Sequence, residues 1–425
     1  MTEFHKRKTI NSVSYILQSL NFAKRCCADD ANLCEVVEIN AGEKNAQFEG
    51  VLDILKANNF DTQYRRQLES MAASGTVGGY IRLEQADILK SGLIRGGKIR
   101  INYVDAEGIV PLTVINNEVV ECAFTGTDLA AGKEVDVLVI FVLEKGKYVA
   151  NTYYFEDNKN VPERDMSLQL GEVKPFFIMR TAEVNNLDDM AGYGYPKLYN
   201  TIPVLEMTDL AYNILFSDLD KGEKIILVNE LLCKFDRTTG EPTFTPEQKK
   251  YFIQYGEEKH SDDKSLVHEY NPEIRIDAIT KTLETCFSLL SMSFGYGTKK
   301  YSFENGQIKT ATEYIGERQD AMQELNKQRY EATQYITAIC RAIMWFSNTF
   351  HGTVWDLESD ICIQFDDSYI TDKQTELETM RADAISFPQV QEFLVQYVMM
   401  RLNCEREEAL KYIQNTEEPV DDLED

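Results

Sequence analysis

Lys309-Thr310-Ala311-Thr312-Glu313 opens the longest periodic stretch of this sequence. A Thr followed three residues later by Glu is a capping box: the Thr310 hydroxyl accepts from the Glu313 N–H, and the Glu313 carboxylate accepts from the Thr310 N–H. From that start Ala311, Ile315, Met322, Leu325, Ala332, Ile336, Ile339, Ile343, Phe346 and Phe350 recur at helical spacing. No proline interrupts them, only Gly316 opposes a helix, and His351-Gly352 supplies the stop. The spacing predicts a helix over 310–351, about forty residues and roughly 60 Å long at 1.5 Å per residue. An average helix has roughly 11–12 residues, so this stripe has to be covered by other segments or by other subunits. It is a core helix whatever the protein does.

Upstream, Ile276, Ile279, Leu283, Phe287 and Leu290 form a second helical stripe that ends at Gly295. The link over 295–309 carries Gly297, Gly306, Lys299 and Lys300 and ends in Lys309, so a glycine-punctuated basic loop joins the two helices. Taken alone, such a loop reads as a solvated surface turn.

Three blocks carry a family resemblance: Tyr270-Asn271-Pro272-Glu273-Ile274-Arg275, Leu289-Leu290-Ser291-Met292-Ser293-Phe294-Gly295-Tyr296-Gly297 and Lys309-Thr310-Ala311-Thr312-Glu313. Their order and spacing resemble the central segment of portal proteins of long-tailed bacteriophages of Gram-positive hosts, the third block most specifically. The similarity extends over roughly Phe22 to Asp367 and is strongest from Gly192 to Arg318.

The resemblance implies an α+β, portal-like subunit. Residues 1–75 would be the N-terminal helical part of the wing, 76–191 an antiparallel β wing, 192–222 the first stem helix and 223–270 a small α/β clip. Residues 271–294 would be the second stem helix, 295–309 the tunnel loop, 310–351 the long tunnel helix, 352–370 a strand returning to the wing, and 371–425 a helical crown with an acidic tail. It implies that Gly295, Tyr296, Gly297, Lys299, Lys300, Tyr301 and Lys309 line a DNA channel, with Thr310 and Glu313 capping the helix behind them.

The implied role is a homo-oligomeric ring, twelve subunits in the assembled family member, at the unique capsid vertex of a virion put together in a host bacterial cytoplasm. Double-stranded DNA would pass through it, without sequence readout, in packaging and ejection. The implied partners are the major capsid protein, the terminase large subunit and the head–tail adaptor; no membrane, metal or cofactor is implied, and no enzyme. A second reading stays open: a helical scaffold or adaptor of a phage head, or of a phage-derived particle, that never passes DNA.

Composition bounds these readings. The 425 residues hold 70 acidic against 44 basic side chains and are 43% hydrophobic, enough for two or three lobes with cores of their own. A net charge of -26 argues against broad adhesion to nucleic acid, although an acidic wall suits a conduit because it repels phosphate. Solubility explains the same charge. Nine scattered cysteines without C-x-x-C spacing suit a reducing compartment and free thiols. His260 and His268, the one close histidine pair, read as surface residues. No apolar run approaches the roughly 18 residues of a membrane span.

In chain order, 1–74 read as helices, with Ile10, Val13, Leu17 and Leu20 on one face, Phe48, Val51, Leu52 and Leu55 on another, and Tyr64, Leu68 and Met71 on a third. The basic run Lys6-Arg7-Lys8 reads as a solvated terminus. From Thr76 the period changes to two, and Val77–Leu83, Lys98–Val104, Val110–Ile115, Val119–Phe124, Val135–Leu143 and Tyr148–Phe155 predict one antiparallel meander. Gly126 through Gly132-Lys133 imitates a phosphate loop but fails on spacing and on Glu134, where a hydroxyl is needed. Gly192-Tyr193-Gly194-Tyr195-Pro196 opens a helix that stops at Lys221-Gly222, with Pro203 either marking its true start or kinking it. The insertion that follows reads as a strand over Lys224–Val228, a helix from Thr245-Pro246-Glu247 to Gly256 and a strand over Ser265–Tyr270, its strands expected to pair with a neighbouring subunit. Ile361–Phe365 predicts a strand at or beside the wing sheet, Lys373–Gln414 broken helices, and Glu417–Asp425, six acids in nine residues, a disordered tail. No G-x-S-x-G, H-E-x-x-H, complete phosphate loop or dinucleotide fingerprint is present, and the carboxylate pairs Asp188-Asp189 and Asp366-Asp367 are what so acidic a chain produces by chance.

Overall fold

The structure, a computed structural model, describes residues 3–8, 14–41, 46–88, 94–130, 133–156, 159–187, 189–222, 225–229, 238, 252–255, 267–298, 300, 301, 303, 311–365, 373–386, 391–402, 406, 409–411 and 413. The class is α+β. Two compact units form: Met1–Ala28, Ala72–Ser74 and Pro196–Ala321 make the first, and Asp29–Met71, Gly75–Tyr195 and Met322–Asp425 the second.

The elements begin with β1 (Lys6–Lys8), β2 (Ser14–Ile16), α1 (Phe22–Asn32), β3 (Val36–Ala41), α2 (Ala46–Ala57) and α3 (Phe60–Ser74). Ten strands follow: β4 (Thr76–Glu84), β5 (Asp87–Ile88), β6 (Ile94–Arg95), β7 (Lys98–Asp105), β8 (Ile109–Ile115), β9 (Glu118–Ala130), β10 (Lys133–Glu144), β11 (Lys147–Glu156), β12 (Lys159–Asn160) and β13 (Met166–Gln169). Then come β14 (Phe176–Arg180), α4 (Ile202–Lys221), β15 (Ile225–Asn229), β16 (Phe252–Tyr255), β17 (Val267–Tyr270), α5 (Ile276–Ser293) and α6 (Ala311–Phe346). A π-helical turn over Ser347–His351, β18 (Ile361–Phe365), α7 (Lys373–Ser386) and α8 (Gln391–Leu402) complete the chain.

In the second unit the predicted meander divides into two sheets. Strands β8 to β11 do run as a meander, in a six-stranded sheet with β12 and β13, whereas β4 and β7 join β14 in a separate sheet of order β14-β4-β7. Short turns set the register. Asn116-Asn117 and Lys145-Gly146 carry positive φ at both central positions, the primed-turn geometry that matches strand twist. The apparent phosphate loop is simply where β9 pairs with β10, Ala130 opposite Lys133. Between the sheets Tyr80, Phe124, Phe141, Phe176 and Tyr148 form a continuous aromatic cluster, with ring centroids 5.2–6.0 Å apart.

Helix α6 is buried on one stripe at Leu325 and Ala332 and almost all round from Ile339 to Phe346, as its neighbours in the same unit cover it. Tyr335 packs edge-on to Phe177 at 5.2 Å and donates to the Gln67 carboxamide oxygen, whose own amide donates to the Gly78 carbonyl at 2.7 Å. Burial drives the Tyr335 hydroxyl pKa well up. Gln328, also buried, accepts from the Ala182 N–H at 3.0 Å and donates to the Arg180 carbonyl at 3.1 Å. The π turn ends on Gly352, at φ 73, as the His351-Gly352 stop predicts. The Thr310 half of the capping box lies outside the described residues.

Several expectations are corrected. Residues near the N-terminus are a hairpin, Lys6 opposite Ile16, and not a helix, because Val13, Tyr15 and Leu17 also alternate with period two. The 1–74 stretch also holds strand β3, and its partner is β18, Ile39 opposite Ile363, so the late strand forms a two-stranded sheet with the N-terminal part of the chain. Gly192–Pro196 does not open a helix. The Gly194 N–H donates to the Thr76 hydroxyl at 2.8 Å and the Thr181 hydroxyl to the Tyr195 carbonyl at 2.7 Å, while a Cβ on Gly194 would stand 2.1 Å from the Gly75 oxygen. Helix α4 starts at Ile202, with Pro203 in its first turn, so the proline marks the true start. In the insertion, 252–255 is a strand rather than the end of a helix, parallel to β15, while β17 pairs antiparallel on the other side. The three strands form one sheet, with β15 between β16 and β17. Helices α7 and α8 are broken where Phe387-Pro388 predicts, and the acidic tail, His260, Asp188, Asp366 and Asp367 lie outside the described residues.

Candidate functional site

In the first unit, α5 is helical because Ile279, Leu283, Phe287 and Leu290 repeat at three- and four-residue intervals and are all buried. Ala211 of α4 joins their cluster, and Val204, Leu205 and Leu215 pack on it. One end of this helix pair is clamped electrostatically. Arg275, just before α5, donates from Nε at 3.0 Å and from Nη2 at 2.9 Å to the Asp218 carboxylate of α4. The hydrogen bond and the charge of Asp218 raise the Arg275 pKa further above its ordinary value. The insertion carrying β15, β16 and β17 leaves and rejoins the helices at this end, Ile225 standing opposite Tyr270.

At the other end the chain turns back on the helix it has just left. Phe294, fully buried, bonds through its N–H to the Leu290 carbonyl at 3.1 Å. Gly295 at φ 77 and Gly297 at φ 72 occupy the left-handed region where a Cβ is unfavourable. Between them the Tyr296 N–H reaches the Ser291 carbonyl at 2.9 Å, and its ring, 5% exposed, stacks on Phe294 at 6.2 Å. The Tyr301 N–H then donates to the Ser291 hydroxyl at 3.2 Å. Phe22 stacks on Phe287 at 4.7 Å and meets Tyr301 edge-on at 5.0 Å, and Phe303 meets Phe287 at 5.2 Å.

The predicted site residues therefore divide by task. Gly295, Tyr296, Gly297 and Tyr301 anchor the base of the loop. Lys300, half-buried, holds its ammonium 5.5 Å from the centroid of the Tyr296 ring, a cation–π geometry. Lys299, Lys309, Thr310 and the side chain of Glu313 lie outside the described residues. Sequence reading missed Phe22, Ser291 and Phe303. Their signal was present as a polar residue, Ser291, at a core position of an apolar stripe and as an unusual density of aromatic rings in a short loop.

Outward on the same helices, Ile202, Met207, Phe216 and Leu219 of α4 and Ile276 and Met292 of α5 are exposed. Among the described residues there is no group of His, Cys, Asp and Glu able to hold a metal ion, and no helix long and apolar enough to cross a membrane.

No protein-family model and no curated protein matches the chain. Among solved structures it is similar to a chain of "Virion of native gene transfer agent (GTA) particle", at TM-score 0.41 and 11% identity over 87% of this chain and 86% of that one. It is also similar to chains of "Neck of empty GTA particle computed with C6 symmetry" (TM-score 0.43, 11% identity, 84% of each chain) and "Neck of native GTA particle computed with C12 symmetry" (0.40, 10%, 84% of each). A likeness this weak carries no argument about function.

Proposed function

We propose that this chain is a non-enzymatic portal-type subunit, closing into a ring whose channel is lined by the 295–309 loop and passes double-stranded DNA. The observation that carries the reading is the doubly pinned base of that loop. Ser291 holds it at Tyr296 and at Tyr301, a fixed root for a segment that carries Lys299, Lys300 and Lys309 in a chain of net charge -26. Each lysine adds one screened phosphate contact, repeated by every subunit and blind to base sequence. Ring closure needs heterologous contacts, one patch meeting a different patch on the next copy, and the exposed apolar side chains of α4 and α5 supply such a patch. In this proposal the β15–β17 insertion meets the packaging motor and later the head–tail adaptor, and other surfaces meet the major capsid protein.

Negative-stain imaging of the purified chain tests this directly. Closed rings with a central hole are expected; monomers or open fibres, both alone and when co-expressed with the particle's other head proteins, would overturn it.

A further inference from the structure

Strand β14 ends its sheet, so one of its edges has no strand beside it. A cleft of about 300 Å³ opens there between β14, the Asn116-Asn117 turn and helix α6. Phe176, Phe177 and Ile178 all line it, as consecutive residues can where a strand presents its edge. From α6 come Glu331, Tyr335 and Ala338, which four- and three-residue steps place on one face. The volume sits at the lower end of the roughly 300–1,000 Å³ of small-molecule sites.

Two acids and two bases line the cleft, Glu118, Glu331, Lys174 and Arg180, and only one pair of them is joined. Lys174 donates to Glu118 at 2.6 Å and to the Val119 carbonyl at 2.9 Å. Arg180 donates from Nη1 to the Asn117 carbonyl at 2.7 Å and to the Asn117 side-chain oxygen at 3.2 Å, both neutral acceptors. Its Nε and Nη2 have no acceptor among the described residues, and neither is buried. Those two atoms form the side edge of the guanidinium, two parallel donors that match the two oxygens of a carboxylate. The Glu331 carboxylate likewise has no donor among the described residues, and its oxygens keep accessible surface although the residue is half-buried. Burial raises its pKa against the pull of Arg180, the behaviour of an acid that lies near a cation without being bonded to it.

A free carboxylate-binding edge and a free ammonium-binding carboxylate thus line one cleft whose four charges cancel. A simple anion on Arg180 would leave Glu331 beside added negative charge, and a simple cation on Glu331 would do the reverse to Arg180. A molecule carrying both charges satisfies both groups. Ile178 and Ala338, half-buried in the lining, offer contact to a short alkyl side chain.

We propose that this cleft binds a small zwitterion of the α-amino acid type, its carboxylate on Nε and Nη2 of Arg180 and its ammonium on Glu331. The site belongs to the second unit and uses no residue of the 295–309 loop, so it stands whether or not the chain forms the proposed ring.

The probe is L-norvaline, titrated into the full chain near pH 7 and followed by saturation-transfer NMR, alongside pentanoate, which lacks the ammonium, and butylamine, which lacks the carboxylate. L-Norvaline should bind saturably and about tenfold more tightly than either analogue. Glu331→Gln should bring it down to the affinity of pentanoate without weakening pentanoate. Arg180→Met should bring it down to the affinity of butylamine without weakening butylamine. Non-saturable binding to wild type, equal affinity for the three probes, or undiminished L-norvaline affinity in either folded variant would each overturn the proposal. Release of L-norvaline as chains self-associate would also overturn it, assigning the cleft to a second copy.

Discussion

The Ser291 hydroxyl accepts the backbone N–H of Tyr301 at 3.2 Å, ten residues further along the chain, from a side chain buried inside α5. Replacing Ser291 with Ala removes that acceptor and leaves the amide to solvent or to nothing. The cost should be about 1 kcal/mol. Amide exchange at Tyr301 should accelerate while that of α5 stays protected; unchanged exchange at Tyr301 would mean that the aromatic contacts alone hold the loop.

Lys299→Glu combined with Lys300→Glu reverses two charges per subunit on the loop proposed to line the channel. Rings should still assemble, since the helix-pair core lies elsewhere, while packaging or retention of DNA falls because carboxylates repel phosphate. Assembled double-mutant particles that fill and hold DNA normally would remove the charge mechanism.

Asp209 of α4, 7% exposed, accepts the Leu20 N–H at 2.8 Å and pairs with His5 Nε2 at 3.1 Å. Asn213, one turn on, brackets Gln18 from both sides, accepting its N–H at 2.9 Å and donating to its carbonyl at 2.7 Å. The N-terminal hairpin is thereby strapped to the helix. Asp209→Ala should cost about 1–3 kcal/mol and make the Lys6-Arg7-Lys8 run the earliest site of tryptic cleavage. Cleavage there at the wild-type rate would show that Asn213 suffices.

Glu331, half-buried on α6, has its carboxyl pKa raised by burial, with the charge of Arg180 pulling the other way. A carboxyl that is easier to protonate folded than unfolded favours the folded state most in acid. Its contribution declines as pH rises from the ordinary value, about 4.3, to the raised one. Glu331→Gln should therefore raise the urea midpoint near pH 7 and leave it nearly unchanged near pH 4. Glu118 on the neighbouring strand, held below the carboxylate range by Lys174, is the same in both proteins and cancels in the comparison. Equal shifts at the two pH values would refute the assignment.

Long periodic segments were legible from sequence because local spacing alone defines them: α4, α5, α6 and the strands from β7 to β11 stand where their apolar residues recur. What escaped depends on distant partners. Strand β3 is only Val36-Val37-Glu38-Ile39-Asn40-Ala41 until β18 arrives from more than three hundred residues away. Strand β14 is short, and its place beside β4 divides the meander in a way no window of sequence reveals. At the candidate site, the glycines at 295 and 297 announced a turn, but Phe22 closing on Tyr301 joins residues far apart in the chain. Thr245-Pro246-Glu247 signals a helix start, yet strand pairing to β15 governs 252–255.

The clamp between Asp218 and Arg275 makes the intervening residues interchangeable in a mechanical sense. The insertion departs and returns at one point, beside that ion pair, so a change in its length is expected to be taken up within it, with the buried stripe of α5 against α4 holding the helices together. If the β15–β17 sheet meets partners as proposed, a lineage carrying this chain can exchange one partner for another there while the α4–α5 core keeps its residues.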